Sequence, residues 1–227
     1  MLKISCIIAA YNESKRILPI LDVVCNNPKI NEVIVVNDGS LDNTHSLLIR
    51  DKRINFISYP INKGKTYAVI LGIKASKNDN IMLLDADLLG LKPENIDDLI
   101  LPIISKKADI SISLRSNSLW IYKKIGMDFI SGERVFNKNI LGDIDFLSKS
   151  LMGYGLETFM DIIIVKNKLK IKVVSWPNVS HARKQGKIGY WRGMFAEWIM
   201  VFHIFKTANI FKLIKLNKKM LNLRVLD

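Results

Sequence analysis

The sequence predicts an α/β fold with a mostly parallel sheet, and three observations support this prediction. Short apolar runs of strand length alternate with segments of helical periodicity from residue 3 to residue 113. Some of these runs are apolar without alternation, as Ile-Met-Leu-Leu at 81–84 is, which is typical of strands buried on both faces. Polar clusters follow the runs, and the carboxyl edge of such a sheet is where ligands bind.

The elements follow from the same patterns in chain order. Strands are predicted at 3–10, 32–37, 54–58, 80–84 and 108–113, and helices at 13–26, 40–49, 62–75 and 93–105. Ser40 is expected to cap the second of these helices. Beyond residue 113 the pattern loosens: segments 119–129 and 132–141 are helical or irregular, a helix follows the loop 153–157 and runs to 165, and 168–174 is a strand at the sheet's other edge. Segment 175–187 is expected to be polar and mobile, with two aromatic and basic helices after it at 188–205 and 208–221.

Composition fits one folded domain with a helical extension. Hydrophobic residues make up 49% of the 227 residues and charged residues 24%, which argues against disorder. We expect residues 1–187 to form the domain and residues 188–227 an amphipathic basic helical extension. Cys6 and Cys25 lie in apolar patterns and are expected to be reduced thiols, which fits the cytoplasm. No stretch reaches the roughly 20 apolar residues of a membrane span.

Positive charge is concentrated at the end of the chain. The net charge is +13, and segment 183–227 carries ten basic residues against two acidic ones. Such a surface attracts phosphate on nucleic acid, anionic lipid or a nucleotide. The aromatic face of 191–205 is flanked by lysines, so it could lie in a membrane interface, or pack on the domain or on a second subunit. Peripheral contact with the inner face of the membrane and a homodimer therefore both stay open.

Four polar clusters follow or precede successive elements, at 11–13, 37–40, 62–65 and 85–87. Parallel strands bring these clusters to one edge, where helix N-termini offer free N–H groups to phosphate. Asp85 and Asp87 are one residue apart and are hard oxygen ligands suited to Mg²⁺ or Mn²⁺. A P-loop is excluded because Tyr59 stands where that motif needs glycine, and no Gly-x-Gly-x-x-Gly follows the first strand. The sequence therefore predicts a nucleotide site with a divalent metal.

The same clusters carry a resemblance to a known family. Ala-Tyr-Asn-Glu after the first strand, Asn-Asp-Gly-Ser after the second, Asn-x-Gly-Lys before the third helix and Asp-Ala-Asp after the fourth strand resemble the family 2 glycosyltransferases of the GT-A fold. The resemblance covers residues 1 to about 165, and Asp-Ala-Asp-Leu is also similar to dolichyl-phosphate mannose synthase and glucosyl-3-phosphoglycerate synthase relatives. It implies transfer of a sugar from a UDP- or GDP-sugar, with Mg²⁺ or Mn²⁺, to an acceptor hydroxyl or phosphate that could be lipid-linked. It also implies a nucleotide-sugar half at 1–115 and an acceptor half at 116–187.

Matched residue by residue, the resemblance assigns the donor site. It implies that Tyr11, Glu13 and Asp38 hold the nucleoside base and ribose, and that Lys65 lies near the base or the phosphates. Asp85 would lie near the ribose and Asp87 on the metal. Related enzymes supply a third metal ligand after the late strand, and His181 is the candidate there.

Further residues are assigned to the diphosphate, the acceptor and the catalytic base. Arg183 and Lys187 would clamp the diphosphate, and Glu133 and Arg134 are candidate acceptor contacts. An inverting transfer needs a carboxylate that takes the proton of the acceptor hydroxyl. The candidates are Glu157 and Asp161, which share one face of a helix because they are four residues apart. The family usually has adjacent Glu and Asp, whereas Thr158 follows here, so the base stays open with Glu157 favoured.

Two other functions remain as alternatives. A nucleotidyltransferase would need a glycine-rich basic loop after the first strand, which residues 9–12 do not supply. A non-catalytic basic protein that binds membrane or nucleic acid would show a steep salt dependence and no effect of Asp87→Ala. The transferase hypothesis, by contrast, involves no nucleic acid and predicts loss of turnover in that variant. The sugar, the nucleotide base, the acceptor and the stereochemistry are left open.

Overall fold

The computed structural model describes residues 2–144, 155–182 and 210–226, with side chains from residue 214 onward in the last range. The strands of these ranges are β1 (Ile4–Ala10), β2 (Glu32–Asp38), β3 (Asn55–Tyr59), β4 (Asn80–Asp85), β5 (Leu88–Leu89), β6 (Ile110–Arg115), β7 (Arg134–Asn137), β8 (Ile171–Trp176) and β9 (Ser180–His181). Their helices are α1 (Ile17–Cys25), α2 (Thr44–Leu48), α3 (Lys65–Ala75), α4 (Pro93–Ile104), α5 (Trp120–Ile125), α6 (Leu156–Asn167) and α7 (Ile210–Asn222).

Seven strands form one sheet in the order β3-β2-β1-β4-β7-β6-β8. Strands β3, β2, β1 and β4 run parallel to one another, and β6 is parallel to β8. Only β7 among the sheet strands described is antiparallel to its neighbours, β4 and β6. The predicted α/β fold with a mostly parallel sheet is confirmed, as is the strand predicted at the far edge, which is β8.

Helices cover both faces of this sheet, which explains the unbroken apolar runs of its central strands. On β1, Ile7 packs with α3 on one face, while Cys6 and Ile8 point to the other face, where α1 and α4 lie. Each face has its own cluster of buried side chains, so inward and outward residues of a central strand are equally apolar. The four polar clusters consequently lie outside the core, at the ends of the strands.

Strand β7 lies in the middle of the sheet, although segment 132–141 was expected to be helical or irregular. That expectation was wrong for residues 134–137, because β7 is only four residues long and begins with a fully buried arginine, Arg134, whereas Lys138–Leu141 do form a short 3-10 helix. Leu83 pairs with Arg134 in antiparallel register. The amino end of β7 therefore lies at the carboxyl end of β4, and residues 131–134 come next to Asp85.

The first three helices begin later than the sequence predicted. Helix α1 begins at Ile17, α2 at Thr44 and α3 at Lys65, and Ser40 does not cap α2. Its hydroxyl instead accepts a hydrogen bond from the Asn12 backbone N–H, and the Asp42 carboxylate accepts from the Thr44 N–H. The prediction for Ser40 was wrong because the side chain joins two loops rather than starting a helix.

Helix α7 corresponds to the helix predicted at 208–221, and it packs on the domain. Met220 is fully buried in the core cluster that also contains α3 and α6. The chain after the helix pairs with the edge strand, since the Ile171 N–H donates to the Leu223 carbonyl and the Val225 N–H to the Ile171 carbonyl. The helix predicted at 188–205 and its aromatic face lie outside the described residues, so the domain boundary at 187 stays a prediction.

Cys6 is buried and Cys25 is partly exposed, and both are free thiols, as the sequence predicted. None of the helices in the described part of the chain has the length and apolar character that a bilayer crossing requires.

Candidate functional site

The loops after β1 and β2 are joined by several hydrogen bonds at the carboxyl edge of the sheet, and the Asn12 side chain accepts two of them. Asn12 has a positive φ of 57°, a conformation that asparagine tolerates better than most residues. Its side-chain oxygen accepts hydrogen bonds from the backbone N–H of Leu41 (2.8 Å) and of Asp42 (3.3 Å). Two of the predicted clusters, 11–13 and 37–40, are thus parts of one surface.

Asp38 fixes the loop that leads into α3. Its carboxylate accepts hydrogen bonds from the N–H groups of Lys63 (2.7 Å) and Gly64 (3.0 Å) and from the Asn62 side chain (3.0 Å). The Asp38 residue is almost completely buried. It therefore holds the third cluster against the second.

Tyr11 and Glu13 lie on either side of the same loop. Tyr11 is 40% exposed, so its ring is free to contact a planar ligand at this edge. Glu13 is buried, and its carboxylate accepts a 2.6 Å hydrogen bond from Arg16 Nε. Tyr11, Glu13 and Asp38 therefore occupy neighbouring loops, as the nucleotide assignment requires.

Lys65, the first residue of α3, bridges two carboxylates across the edge of the sheet. Its Nζ lies 2.7 Å from Asp85 Oδ1 and 2.9 Å from Glu157 Oε1. Gly132 lies beside this bridge, where a Cβ would come within 2.7 Å of both Asp85 Oδ1 and Lys65 Nζ. This bridge therefore joins the fourth cluster to the first turns of α3 and α6, although Lys65 and Glu157 are 92 positions apart in the sequence.

His181 is brought to the aspartates by a short two-stranded ribbon. Strand β9 pairs antiparallel with β5, so that His181 lies opposite Leu88, and the Ala182 N–H donates to the Asp87 carbonyl. His181 Nε2 lies 3.0 Å from Asp85 Oδ2, 3.0 Å from Glu133 Oε1 and 3.9 Å from Asp87 Oδ1. This ribbon shows that part of the segment expected to be mobile is ordered.

The side chains of Asp85, Glu133 and His181 could hold a metal ion, since one ligand atom from each lies within 4.8 Å of the others. Carboxylate and imidazole donors suit Mn²⁺ and Mg²⁺. Glu133 had been assigned to the acceptor and Asp85 to the ribose, and the structure brings both to His181. Asp87, assigned to the metal, borders the cluster with a side chain that is 32% exposed.

The pKa values of His181, Asp85, Glu133 and Asp87 are shifted in different directions. Burial would lower the pKa of His181, but hydrogen bonds with Asp85 and Glu133 outweigh burial and raise the pKa to about 9. Despite burial, the pKa of Asp85 is lowered by Lys65 and His181, and that of Glu133 by His181 and Arg115. Burial raises the pKa of Asp87, and the neighbouring carboxylates add to the rise against the effect of His181. Among these carboxylates, Asp87 therefore has the least compensated negative charge.

Arg115, at the end of β6, is a residue that the sequence analysis missed. It is buried, and its Nη1 donates to Glu133 Oε1 (2.8 Å) and Oε2 (2.6 Å). The same atom lies 2.8 Å from His181 Nε2, and Nη2 donates to Asp128 at 3.2 Å. Its position two residues after the strand predicted at 108–113 was the available signal, because the carboxyl ends of strands line this edge.

Arg134 and Asp161 form a buried ion pair behind the cluster. Arg134 Nη1 donates to Asp161 Oδ1 at 2.7 Å, and its other nitrogens donate to the carbonyls of Ser131 and Phe129. Both side chains are almost inaccessible, whereas the Glu157 side chain is 22% exposed. Of the two candidates for the base, Glu157 is therefore the one open to a ligand. Arg183 and Lys187, the candidates for the diphosphate, lie outside the described residues.

Comparison with known proteins agrees with this arrangement. The sequence profile described as glycosyl transferase family 2 matches residues 5–143, more than half of the chain. The chain belongs to this family. The matched segment contains the four polar clusters, Arg115 and Glu133, so the family's sequence pattern includes most of the site.

The chain is also similar to individual members of the family. It is 39% identical over 94 residues to a dolichyl-phosphate beta-glucosyltransferase of Trichomonas vaginalis, covering 36% of this chain and 28% of that protein. It is 39% identical over 90 residues to the poly-beta-1,6-N-acetyl-D-glucosamine synthase of Staphylococcus aureus, covering 38% of this chain and 22% of that protein. The match thus spans about a quarter of the length of these curated relatives.

Solved structures confirm the fold. Glucosyl-3-phosphoglycerate synthase from Mycobacterium tuberculosis superimposes with a TM-score of 0.59 over 80% of this chain and 72% of that chain, at 19% identity. That structure is described as a complex with Mn²⁺, UDP-glucose and phosphoglyceric acid. At this level of identity the similarity establishes a shared GT-A architecture.

Proposed function

We propose that the protein is a metal-dependent glycosyltransferase that moves a sugar from a UDP-sugar to an acceptor bearing a phosphate group. The observation that carries the proposal is the position of His181 beside both Asp85 and Asp87, on the same edge as Asp38 and Lys65. That arrangement offers a nucleotide loop and a cation site to one ligand. A nucleoside diphosphate joined to a sugar is the ligand class that needs both.

The choice of UDP and of a phosphate-bearing acceptor draws on the similar proteins. The glucosyl-3-phosphoglycerate synthase structure holds UDP-glucose with phosphoglyceric acid, and the name of the Trichomonas vaginalis relative includes dolichyl phosphate. Both acceptors contain a phosphate. The excess of basic residues in this chain, a net charge of +13, favours such an acceptor electrostatically.

We assign the metal to Asp87 and His181, with Asp85 beside them. Asp85 already has Lys65 as a partner and Glu133 has Arg115, whereas Asp87 carries the least compensated charge. A bound Mn²⁺ or Mg²⁺ would supply Lewis-acid stabilisation of the negative charge on the departing nucleoside diphosphate. The β5–β9 ribbon holds His181 beside the aspartates, and these side chains would position the diphosphate.

Glu157 is the carboxylate that we assign to proton removal. It faces the open side of the cluster, and Lys65 Nζ holds its Oε1 at 2.9 Å. An ionised carboxylate is the form that can accept a proton from a hydroxyl. Asp161 is less suited to this role, because it is buried and hydrogen-bonded to Arg134.

Replacing Glu157 also tests whether a hydroxyl oxygen or a phosphate oxygen of the acceptor receives the sugar. A phosphate oxygen has largely lost its proton at neutral pH, whereas a hydroxyl needs a base. Glu157→Gln should therefore lower kcat by about 10²–10⁴-fold with an acceptor hydroxyl and much less with an acceptor phosphate. Transfer from radiolabelled UDP-glucose to 3-phosphoglycerate and to a polyprenyl phosphate separates the two cases.

The donor assignment is tested by calorimetry of UDP and GDP, each with and without Mn²⁺. Wild type is expected to bind UDP only with the metal, and Asp87→Ala to lose this binding. Asp98→Ala is the matched control, because Asp98 is an exposed aspartate on α4, outside the four polar clusters. Binding of neither nucleotide to the wild type, or equal binding to the Asp87 and Asp98 variants, would refute the assignment.

A further inference from the structure

A group of exposed apolar side chains surrounds helix α5. Trp120 is 72% exposed and Leu119 50%, and Ile121 and Ile130 are each about 40% exposed. Helix α5 has no fully buried residue of its own. We name the set Leu119, Trp120, Ile121, Lys123, Lys124 and Ile130 the α5 surface.

The α5 surface is held firmly on the domain. Tyr122 and Ile125 pack against the core from the inner side of the helix. Gly126 ends the helix in a left-handed conformation, and Arg224 Nη1 donates to the carbonyls of Ile125 and Gly126 at 3.0 Å each. The exposed side chains therefore belong to a fixed element rather than to a fraying one.

The charge of this surface is positive. Lys123 and Lys124 lie in the last turn of α5, and both are exposed. The nearest acidic residue along the chain is Asp128, which is buried and accepts hydrogen bonds from Ser118 and Arg115. Aromatic and aliphatic side chains beside lysines, without an exposed carboxylate among them, fit an anionic lipid surface.

The surface is directly connected to the candidate active site. Ser118 Oγ donates to Asp128, and Asp128 pairs with Arg115, which contacts Glu133 and His181. Only Leu119 lies between Ser118 and Trp120 in the chain. A partner that contacts the α5 surface would therefore lie close to the opening of the candidate active site.

We propose that the α5 surface docks on the anionic headgroups of a phospholipid bilayer, with Trp120 inserted at the interface. The indole ring suits this position because its apolar body enters the acyl boundary while its N–H meets the headgroups. A second copy of the chain fits less well, because two identical lysine-bearing surfaces would repel each other in a molecule of net charge +13. The proposal does not depend on the donor or on the reaction.

Helix α4 supplies matched controls. Leu101 is 60% exposed on α4, and Lys107 is exposed just after that helix, at the other end of β6 from Arg115. Helix α4 packs on the opposite face of the sheet from α5. Leu101→Glu and Lys107→Gln therefore repeat the chemistry of Trp120→Glu and Lys124→Gln at a distant site.

The experiment is sedimentation of the full chain with vesicles of phosphatidylcholine alone and with about 30 mol % phosphatidylglycerol. Wild type should bind the anionic vesicles, and less so at high salt. Trp120→Glu should lower the partition coefficient by about tenfold or more and Lys124→Gln by about fivefold, with both controls close to wild type.

Three results would overturn the proposal. The first is that wild type does not bind anionic vesicles, and the second is that the α5 variants and their controls change the partition coefficient equally. The third is that Trp120→Glu has a lower melting temperature without lipid but still binds the vesicles. The last result would mean that another part of the chain covers Trp120. If Trp120→Glu does not fold, Lys124→Gln against Lys107→Gln still decides the question. Calorimetry of UDP with the α5 variants should match wild type, so a failed donor site would be recognised separately.

Discussion

Replacing Asp161 by asparagine should destabilise the protein rather than disable its chemistry. Arg134 is completely buried and Asp161 nearly so, and their nitrogen and oxygen atoms lie 2.7 Å apart. Removing one partner of such a pair leaves a buried charge uncompensated, which costs about 3–5 kcal/mol. For a chain of this length each kcal/mol lowers Tm by roughly 2–4 °C, so a fall of about 10 °C is expected. Thermal melts with urea titrations measure it.

Glu157→Gln is the control variant for this measurement. Glu157 is partly exposed and pairs with Lys65, itself 46% exposed, so its loss should change the melting temperature little. The double variant Arg134→Met with Asp161→Leu should be more stable than either single change, because no unpaired charge remains. If Asp161→Asn melts as wild type does and abolishes transfer, Asp161 is the base and the structural role assigned to it here is wrong.

Three further outcomes concern the donor and metal side. Asp38→Asn should cost roughly 1–3 kcal/mol in urea denaturation, since its carboxylate accepts three hydrogen bonds; an unchanged midpoint would contradict that role. Joint binding of UDP and Mn²⁺ at about pH 7 should release close to one proton, because His181 is protonated beforehand and a histidine that binds a metal is neutral. Calorimetry in two buffers tests this, and buffer-independent heats would refute it. Gly132→Ala should weaken UDP–Mn²⁺ binding without lowering Tm, because its Cβ would crowd Asp85 and Lys65; unchanged affinity would count against this packing.

The sequence predicted the parts of the fold that depend on local pattern. The strands β1 and β4 are long, apolar and followed by polar residues, so their position and the edge they define could be inferred. Asp38 and Lys65 could be placed at that edge for the same reason. The reach of Lys65 to Glu157 could not, because it depends on where α6 packs.

The sequence could not predict the parts of the site that depend on β7, the antiparallel strand. A four-residue strand that begins with a buried arginine has neither the length nor the apolar run of a central strand. Without β7, Glu133 and Arg134 seemed to lie in an irregular acceptor segment. Because β7 runs antiparallel to its neighbours, its amino end lies at an edge formed otherwise by carboxyl ends. This position brings Glu133 next to His181.

The charges at this edge explain why a cation and a proton should exchange there. Five carboxylates face three positive groups when His181 is protonated. The carboxylates are those of Asp85, Asp87, Asp128, Glu133 and Glu157, and the positive groups are those of Lys65, Arg115 and His181. Binding of a divalent ion with loss of the His181 proton leaves one negative charge on the cluster. A diphosphate then brings negative charge that the cluster itself does not offset. Further cations must meet it, and for this reason the prediction that Arg183 and Lys187 bind the diphosphate is retained.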